Sequence, residues 1–250
     1  MSEIKGIPLD APLYQGDKEH GGGFFNCQAV QAVFTIASDV RRLLPEQLMP
    51  TVDPPIGIAA IVRYGISNVG SYLEQYSGIQ VRDPGGETGY YIPYIYLTSN
   101  DAALASGREV FGAPKKFAKI ELVREDGLIQ GTLERPTGKR LLTLTAQPNI
   151  RVSAAMRQMW PSRINCYSVR HLPPIAGKGG VRQLVKWYTE QTFRRDERGE
   201  EVVFTGPVSL TYDSPSAIDP VHNLTVNHIM LGTYVEFDAK VQALDILSGA

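Results

Sequence analysis

The sequence contains little cysteine, which limits how it can be held together. Its 250 residues include only two cysteines, Cys27 and Cys166. One disulfide could form, but a disulfide framework is excluded, and a reducing compartment suits this composition equally well. A chain of this length buries enough apolar surface to fold without such cross-links.

Neither sign of charge is in excess, and no long apolar run is present. The net charge is -1, the pI is near 6.4 and the basic residues are scattered, which argues against a nucleic-acid-binding surface. Residues 1–20 are polar and contain no apolar core of a signal peptide. The apolar run at residues 56–62 is far too short to span a bilayer. We therefore expect a soluble, cytoplasmic protein with no membrane or nucleic-acid partner.

Motifs for metals, phosphates and serine nucleophiles are also missing. The four histidines show no metal-ligand spacing with each other or with the cysteines. The glycines at 21–23 lack the Lys-Ser/Thr ending of a phosphate loop, and no Gly-x-Ser-x-Gly elbow occurs. The sequence therefore predicts neither a metal site nor a phosphate-cofactor site.

Short segments rich in β-branched and aromatic residues are abundant, and they predict strands. Asp126-Gly127 supplies the positive φ angles of a type I′ turn and predicts a hairpin between residues 119–123 and 128–133. Arg198-Gly199 is a candidate for a second hairpin. The other predicted strands are at residues 31–36, 90–97, 141–146, 202–210 and 233–237.

Three short helices are predicted from capping residues and stops. The first begins at Ser38 and ends before Pro45, and the second begins after Ser99 and ends at Gly107. Antiparallel strands with few helices favour one domain, residues 1–250, built as a barrel or a sandwich. The predicted helices cover residues 38–44, 100–106 and 151–159.

Two adjacent lysines, Lys115 and Lys116, follow Pro114 in a stretch of small and apolar residues. Lysine is rarely buried, and a buried lysine that stays neutral is a nucleophile for ketones and aldehydes. Lowering a lysine pKa from about 10.4 to about 6 requires roughly 6 kcal/mol. Two ammonium groups on opposite strand faces, about 7 Å apart, supply only roughly 2.4 kcal/mol at an effective dielectric of ~20. Desolvation must supply the rest; the alternative is a solvated strand edge marked by the proline.

The residues around the lysine pair resemble the signature of the acetoacetate decarboxylase family. The specific segment is GREVFGAPKK at 107–116. Three weaker segments keep the family order, and the similarity extends over roughly residues 25–240. Those segments are VRRLLPEQL at 40–48, GSYLE at 70–74 and HIM at 228–230. The resemblance implies a mainly β (α+β) fold, an antiparallel β-barrel with an interior cavity and a few peripheral helices. It also implies a homo-oligomer.

The resemblance implies a set of catalytic residues. Lys115 matches the Schiff-base lysine and Lys116 its neighbour. Glu74 matches a glutamate that orients the lysine and moves protons, a role that a carboxylate within hydrogen-bond reach can fill. Tyr234 could place a phenol in the cavity and help Glu74 to move protons. The alternatives are a surface carboxylate for Glu74 and a packed core ring for the tyrosine. No cofactor is needed, because the lysine itself forms the iminium ion.

Substrate contacts are expected from four further residues. Tyr72, Phe111 and Ala113 would line the cavity, and Ala113 stands where the family carries a bulky tyrosine. Arg63 could clamp a substrate carboxylate in bidentate fashion if it points inward; otherwise it faces water.

Two departures from the family bear on the reaction. The family arginine that assists the substrate carboxylate corresponds to Asn26, and a second family glutamate corresponds to Ala59. A pocket without these groups is wider and differently polarised. The sequence therefore favours aldol condensation and dehydration on a 2-oxo acid such as pyruvate over decarboxylation of acetoacetate, with Lys115 forming the Schiff base in both. A non-catalytic barrel that binds an apolar small molecule is the remaining alternative.

Overall fold

Strands dominate the computed structural model, which describes residues 22–158 and 161–249. Strands β1–β8 are Gly22–Ile36, Met49–Pro50, Ile56–Tyr64, Ile66–Ser67, Tyr72–Arg82, Thr88–Leu97, Lys115–Phe117 and Lys119–Glu125. Strands β9–β16 are Leu128–Glu134, Arg140–Ala146, Ile150–Arg151, Arg163–Leu172, Val181–Phe193, Val203–Thr205, Val208–Thr211 and Val226–Gly249. The two α-helices in these ranges are α1, Asp101–Glu109, and α2, Ala154–Gln158, and a short 3-10 helix covers Val221–Asn223. No helix in the described part of the chain is long and apolar enough to cross a membrane.

The larger sheet closes on itself. Its ring runs β1-β3-β5-β6-β12-β13-β16, and β16 pairs with β1 to complete the barrel. Every pair in this ring is antiparallel except β6 with β12, which is parallel. The predicted fold class, a mainly β barrel with few helices, is therefore confirmed, with one parallel pair that the sequence did not indicate.

A second sheet, in the order β15-β10-β9-β8, packs against the outside of the barrel. The main hydrophobic core lies between the two sheets. Phe34 and Ile61 from the barrel wall meet Leu133, Leu142 and Leu144 from the second sheet, and all five are fully buried. Because β1 and β3 present one face to this core, their other face is free to line the barrel interior.

The hairpin predicted at Asp126-Gly127 is confirmed. Strands β8 and β9 pair antiparallel across it, and the φ angles of 50° at Asp126 and 79° at Gly127 suit its tight turn. At Arg198-Gly199 a turn is closed by a single bridge between Arg195 and Glu201, so the second hairpin is only partly formed.

The strands predicted at 90–97 and 141–146 are confirmed as β6 and β10 with nearly the same bounds. The other three predicted strands are correct in place but not in length. Segment 233–237 belongs to β16 and segment 31–36 to β1, two strands that extend much further because they pair with each other. Segment 202–210 forms two strands, β14 and β15, interrupted at Gly206 and Pro207.

The helix predicted over residues 38–44 is wrong. The hydroxyl of Ser38 donates to the carbonyl oxygen of Asn223 instead of capping a helix. Asp39 accepts from the backbone N–H of Arg41 at 2.9 Å and holds the segment in a turn. A side chain that satisfies nearby backbone groups in this way competes with helix formation.

The other two helices exist with different bounds. Asn100, not Ser99, caps α1 by accepting from the N–H of Ala103 at 2.9 Å. The helix continues through Gly107 to Glu109. The third predicted helix is reduced to α2, and its expected last residue, Met159, lies outside the described residues.

Candidate active site

The interior of the barrel is a cavity of about 430 Å³. All seven strands of the ring contribute to its wall, and most of the lining side chains are aromatic or aliphatic. Among the described residues that line it, Lys115 and Glu74 are the only two with a formal charge.

Lys115 and Glu74 form an ion pair inside this cavity. The Nζ atom of Lys115 lies 2.7 Å from Oε2 of Glu74, and the two side chains are 11% and 5% exposed. The same Nζ lies 5.3 Å from the centre of the Tyr72 ring. Because little water reaches the pair, its electrostatic interactions are stronger than they would be at the surface. The contact between Lys115 and Glu74 that the family resemblance implies is therefore present.

The segment before Lys115 is fixed by close backbone contacts. Gly112 has φ +67°, and a side chain there would lie 2.4 Å from the backbone nitrogen of Arg170, so only glycine fits. The carbonyl oxygen of Phe111 accepts from the hydroxyl of Ser168 at 2.5 Å. Arg108 donates to the carbonyl oxygen of Lys115 at 3.1 Å. These contacts hold the start of β7 against α1 and β12.

The second carboxylate oxygen of Glu74 accepts a hydrogen bond from a phenol. The Tyr64 hydroxyl donates to Oε1 of Glu74 at 3.2 Å. Burial raises the pKa of the Tyr64 and Tyr72 phenols well above the ordinary value, and the negative charge of Glu74 raises both further. Both phenols therefore stay protonated at neutral pH and are available as hydrogen-bond donors.

Aromatic rings form much of the cavity wall. The ring centres of Phe24 and Tyr64 are 4.7 Å apart, and those of Tyr64 and Tyr72 are 4.8 Å apart. Phe111 meets Trp187 edge to face with centres 5.7 Å apart. Such pairs are favourable beyond the area that they bury, and together they give the site a rigid apolar surface.

Five of the residues predicted for the site come together in the cavity. They are Lys115, Glu74, Tyr72, Phe111 and Ala113. Tyr64 and Trp187 also line the cavity and were not predicted from the sequence. Tyr64 ends the strand β3, where Ile58 and Val62 also line the cavity. The period-two pattern was the available signal, but the nearly continuous apolar run in β3 conceals it.

Lys116 points away from its neighbour, as strand geometry requires. Its Nζ lies 2.8 Å from Oδ1 of Asp219, which is fully buried and is also paired with Arg135 at 3.0 Å. Lys116 is not among the residues that line the cavity. The positive charge of Lys116 is therefore largely compensated. The repulsion expected between the two ammonium groups stays a prediction.

Arg63 and Tyr234 do not meet the expectations placed on them. Arg63 is exposed and donates to the carbonyl oxygen of Leu122 at 3.0 Å. Its neighbour in β3 lines the cavity, so Arg63 must face the other way. Tyr234 packs in the core between the two sheets and donates to Oε1 of Glu236 at 2.7 Å. Neither side chain is among the described lining of the cavity.

The two positions that depart from the family also lie away from the lysine. Ala59 is buried in the core between the sheets and does not line the cavity. Asn26 is exposed at a bulge in β1, where its side-chain oxygen accepts from Arg194. The inference that Ala59 widens the pocket is therefore wrong, because its side chain is on the opposite face of the wall.

Both cysteines are free thiols. Cys166 lines the cavity, and burial raises its pKa. Burial likewise raises the pKa of the Cys27 thiol to about 12, so neither thiol is an activated nucleophile at neutral pH. Within residues 22–158 and 161–249, no group of three or more histidine, cysteine or acidic side chains could hold a metal ion.

Comparison with known proteins gives consistent results. A family model described as acetoacetate decarboxylase matches residues 10–250. Decarboxylase DEC1 of Cochliobolus heterostrophus is 27% identical over 234 residues, which is 92% of this chain and 88% of that protein. A solved structure of acetoacetate decarboxylase has a TM-score of 0.80 at 23% identity and covers 98% of this chain and 96% of that one.

Another solved structure with this fold is that of the enduracididine biosynthesis enzyme MppR, complexed with the condensation product of pyruvate and imidazole 4-carboxaldehyde. Its TM-score is 0.75 at 16% identity, with 99% of each chain covered. At this identity the likeness shows a shared fold.

Proposed function

Because this chain belongs to the acetoacetate decarboxylase family, we propose that it forms a Schiff base between Lys115 and a keto acid and releases carbon dioxide from it. The enzyme is of the lyase type, as its decarboxylase relatives indicate. The observation that carries the proposal is the contact of 2.7 Å between the Lys115 amine and the Glu74 carboxylate in a cavity whose other described lining residues are uncharged.

The ion pair supports a complete set of proton transfers. Glu74 takes a proton from the Lys115 ammonium group, and the free amine attacks the keto carbon. Proton transfer to the oxygen and loss of water give an iminium ion. The carbon–carbon bond to the carboxylate then breaks, carbon dioxide leaves, and the electron pair forms an enamine. Glu74 gives up its first proton when water leaves, takes a second one from solvent, and is placed to deliver that proton to the enamine carbon. Water hydrolyses the new iminium ion and releases the ketone and Lys115.

The lining of the cavity supports decarboxylation over the aldol reaction that the sequence favoured. A 2-oxo acid keeps its carboxylate through condensation and dehydration, and a retained charge in an apolar site needs a cationic partner. Among the described lining residues the only cation is Lys115, which the iminium ion uses. A 3-oxo acid loses its carboxylate as neutral carbon dioxide. The argument from Ala59 no longer counts for the aldol reaction, because that residue lies outside the cavity.

Aldol condensation and dehydration remain the second candidate. The fold shared with MppR, whose structure holds a condensation product of pyruvate, favours it. The same Lys115–Glu74 pair could remove a proton next to the iminium carbon and give the enamine nucleophile. A barrel that only binds small molecules is the third possibility, and homo-oligomeric assembly stays a prediction from the family resemblance.

Borohydride trapping tests the proposed chemistry directly. The protein is incubated with acetoacetate or with pyruvate, reduced, and weighed intact. We expect a mass gain that maps to Lys115, disappears in Lys115→Ala and survives in Lys139→Ala, a change at an exposed lysine. Release of carbon dioxide from acetoacetate supports decarboxylation, whereas an unsaturated product from pyruvate plus an aldehyde supports the second candidate. If no carbonyl compound gives a mass gain, the protein is a barrel that binds small molecules without catalysis.

A further inference from the structure

The cavity around Lys115 is larger and more apolar than a short keto acid needs. Its volume of about 430 Å³ lies within the range of roughly 300–1,000 Å³ that is typical of sites for drug-sized ligands. Beyond the Lys115–Glu74 pair, the wall continues with apolar side chains such as Ile92, Ile95 and Phe237. Acetoacetate, with a methyl group on its keto carbon, would leave most of this surface without a contact.

A second cavity adjoins the first at its far side. It has a volume of about 730 Å³ and shares four wall residues with the first cavity. Its rim includes the exposed residues Thr88 and Arg163. The four shared residues are Gln31, Ile58, Tyr90 and Ile164. The two cavities therefore lie side by side along the barrel. The wall of the second one combines apolar side chains such as Val33 and Leu231 with the charged residues Glu87 and Arg163.

The strand register places the shared residues beyond the lysine along the barrel. Inward residues of β5 follow in the order Tyr72, Glu74, Tyr76. Across β3, Val62 stands beside Glu74, and Ile58 is two inward positions further along the same strand. At about 3.4 Å per residue along a strand, Ile58 lies roughly 14 Å from Val62. A substituent that leaves the keto carbon must be long to reach this part of the wall.

We propose that the substrate of this enzyme is a 3-oxo acid with an extended, unbranched apolar chain on its keto carbon. The chain would run from Lys115 along the apolar wall and pass Ile58 and Ile164 into the second cavity. This inference rests on the proposed function, since it takes Lys115 as the residue that binds the keto carbon. Apart from Lys115 and Glu74, the described polar residues that line the first cavity are neutral, so the apolar chain would be the main source of binding free energy.

A series of 3-oxo acids tests the proposal. We would measure kcat/KM for ketone release from acetoacetate, 3-oxohexanoate, 3-oxooctanoate and 3-oxododecanoate, after subtracting the uncatalysed rate. Each methylene that leaves water for an apolar wall should raise kcat/KM roughly threefold to fourfold, so the octanoate should exceed acetoacetate by about a hundredfold. A flat or falling series would overturn the inference.

Variants at the shared wall give a second, independent readout. Ile164→Trp should obstruct the path and lower kcat/KM for 3-oxododecanoate at least about tenfold more than it does for acetoacetate. Glu190→Trp is the size-matched control, because Glu190 pairs with the residue next to Ile164 but is exposed and is not among the described lining. Equal losses for both substrates in Ile164→Trp would count against the path.

The chain-length inference and the proposed function predict different measurements. Carbon dioxide from acetoacetate with no gain along the series would overturn the chain-length inference and leave the proposed function intact. Absence of both turnover and a borohydride adduct with every acid in the series would overturn both. An adduct on Lys115 that forms at lower concentrations of 2-undecanone than of acetone would support the chain-length inference and the Schiff base on Lys115 without relying on unstable acids.

Discussion

The stem of Lys115 lies directly against Gly107 of α1. A methyl group on residue 107 would come within 2.5 Å of Cδ and 2.6 Å of Cε of Lys115. Glycine at this buried helical position leaves the space that the lysine occupies on its way to Glu74. The helix, the lysine and the carboxylate are therefore positioned by one another.

Gly107→Ala should lower activity without weakening the fold. Alanine is favoured over glycine in a helix by up to about 1 kcal/mol, but its methyl group would push the flexible lysine stem away from Glu74. We expect kcat/KM to fall at least about tenfold while the melting temperature stays the same or rises. The control Ala105→Gly should lower the melting temperature and spare the activity of the folded protein. A Gly107→Ala enzyme with full activity would show that the position of Lys115 does not depend on this contact.

Glu74→Gln should slow turnover through the loss of proton transfer. The amide keeps the size of the side chain and can still accept from Tyr64, but it cannot take a proton from Lys115. General acid–base groups commonly contribute roughly 10²–10⁴-fold in rate, so we expect kcat to fall by about a hundredfold or more.

Single-turnover trapping separates this effect from a folding defect. In Glu74→Gln the borohydride adduct should still form on Lys115, but more slowly. Glu121→Gln, a change at an exposed carboxylate of β8, is the control. If Glu74→Gln kept kcat within about threefold of the unmodified enzyme, Glu74 would not be the proton carrier.

Asp83 and Lys186 form a second ion pair, which should stabilise the fold over a defined pH range. Oδ2 of Asp83 lies 2.8 Å from the Lys186 Nζ and accepts from the Tyr167 hydroxyl at 3.1 Å. Burial alone would raise the pKa of Asp83, but the hydrogen bonds from Lys186, from the Glu87 N–H and from Tyr167 outweigh it, so the pKa is lowered. Burial would likewise lower the pKa of Lys186, and the hydrogen bonds to Asp83 and Glu87 raise it instead.

The sign of the pH dependence follows from these two shifts. The lowered pKa of Asp83 gives a contribution that is present above the unfolded value of about 3.9 and is lost as the pH falls through the folded value. The raised pKa of Lys186 gives a contribution that is present below about 10.4 and is lost as the pH rises through the folded value. The pair should therefore stabilise the fold fully between about pH 4 and pH 10.

Asp83→Asn should lower the free energy of unfolding by about 3 kcal/mol at pH 7, because it leaves the Lys186 charge buried without its main partner. Urea titrations at several pH values would measure this. The difference from the unmodified protein should be constant between pH 5 and pH 9 and shrink below about pH 4. Asp213→Asn, at an exposed aspartate, should cost far less. A difference that grew on acidification would contradict the assigned direction of the Asp83 shift.

Local sequence signals predicted well where a few adjacent residues decide the geometry. Asp126-Gly127 fixed a hairpin because its two residues adopt the backbone angles that the turn requires. The helix predicted at 38–44 from local signals is absent, because Asp39 accepts a hydrogen bond from the backbone of a turn and Ser38 donates to a distant carbonyl group. A cap residue does not reveal which of its partners will be closer in the folded protein.

The sequence by itself determined the family of this protein and its mainly β fold, through the lysine pair in a small-residue segment and the many short strand-forming segments. Strand alternation also determined that the two lysines point to opposite faces. The family resemblance indicated Glu74 as the partner of Lys115, and the structure gives the contact of 2.7 Å. Only the tertiary structure decided that Lys116 meets Asp219. It also decided that Arg63, Tyr234 and Ala59 lie outside the cavity. The physical reason is that closing the barrel fixes which face of each strand is inside, and in strands apolar on both faces the sequence does not distinguish the two.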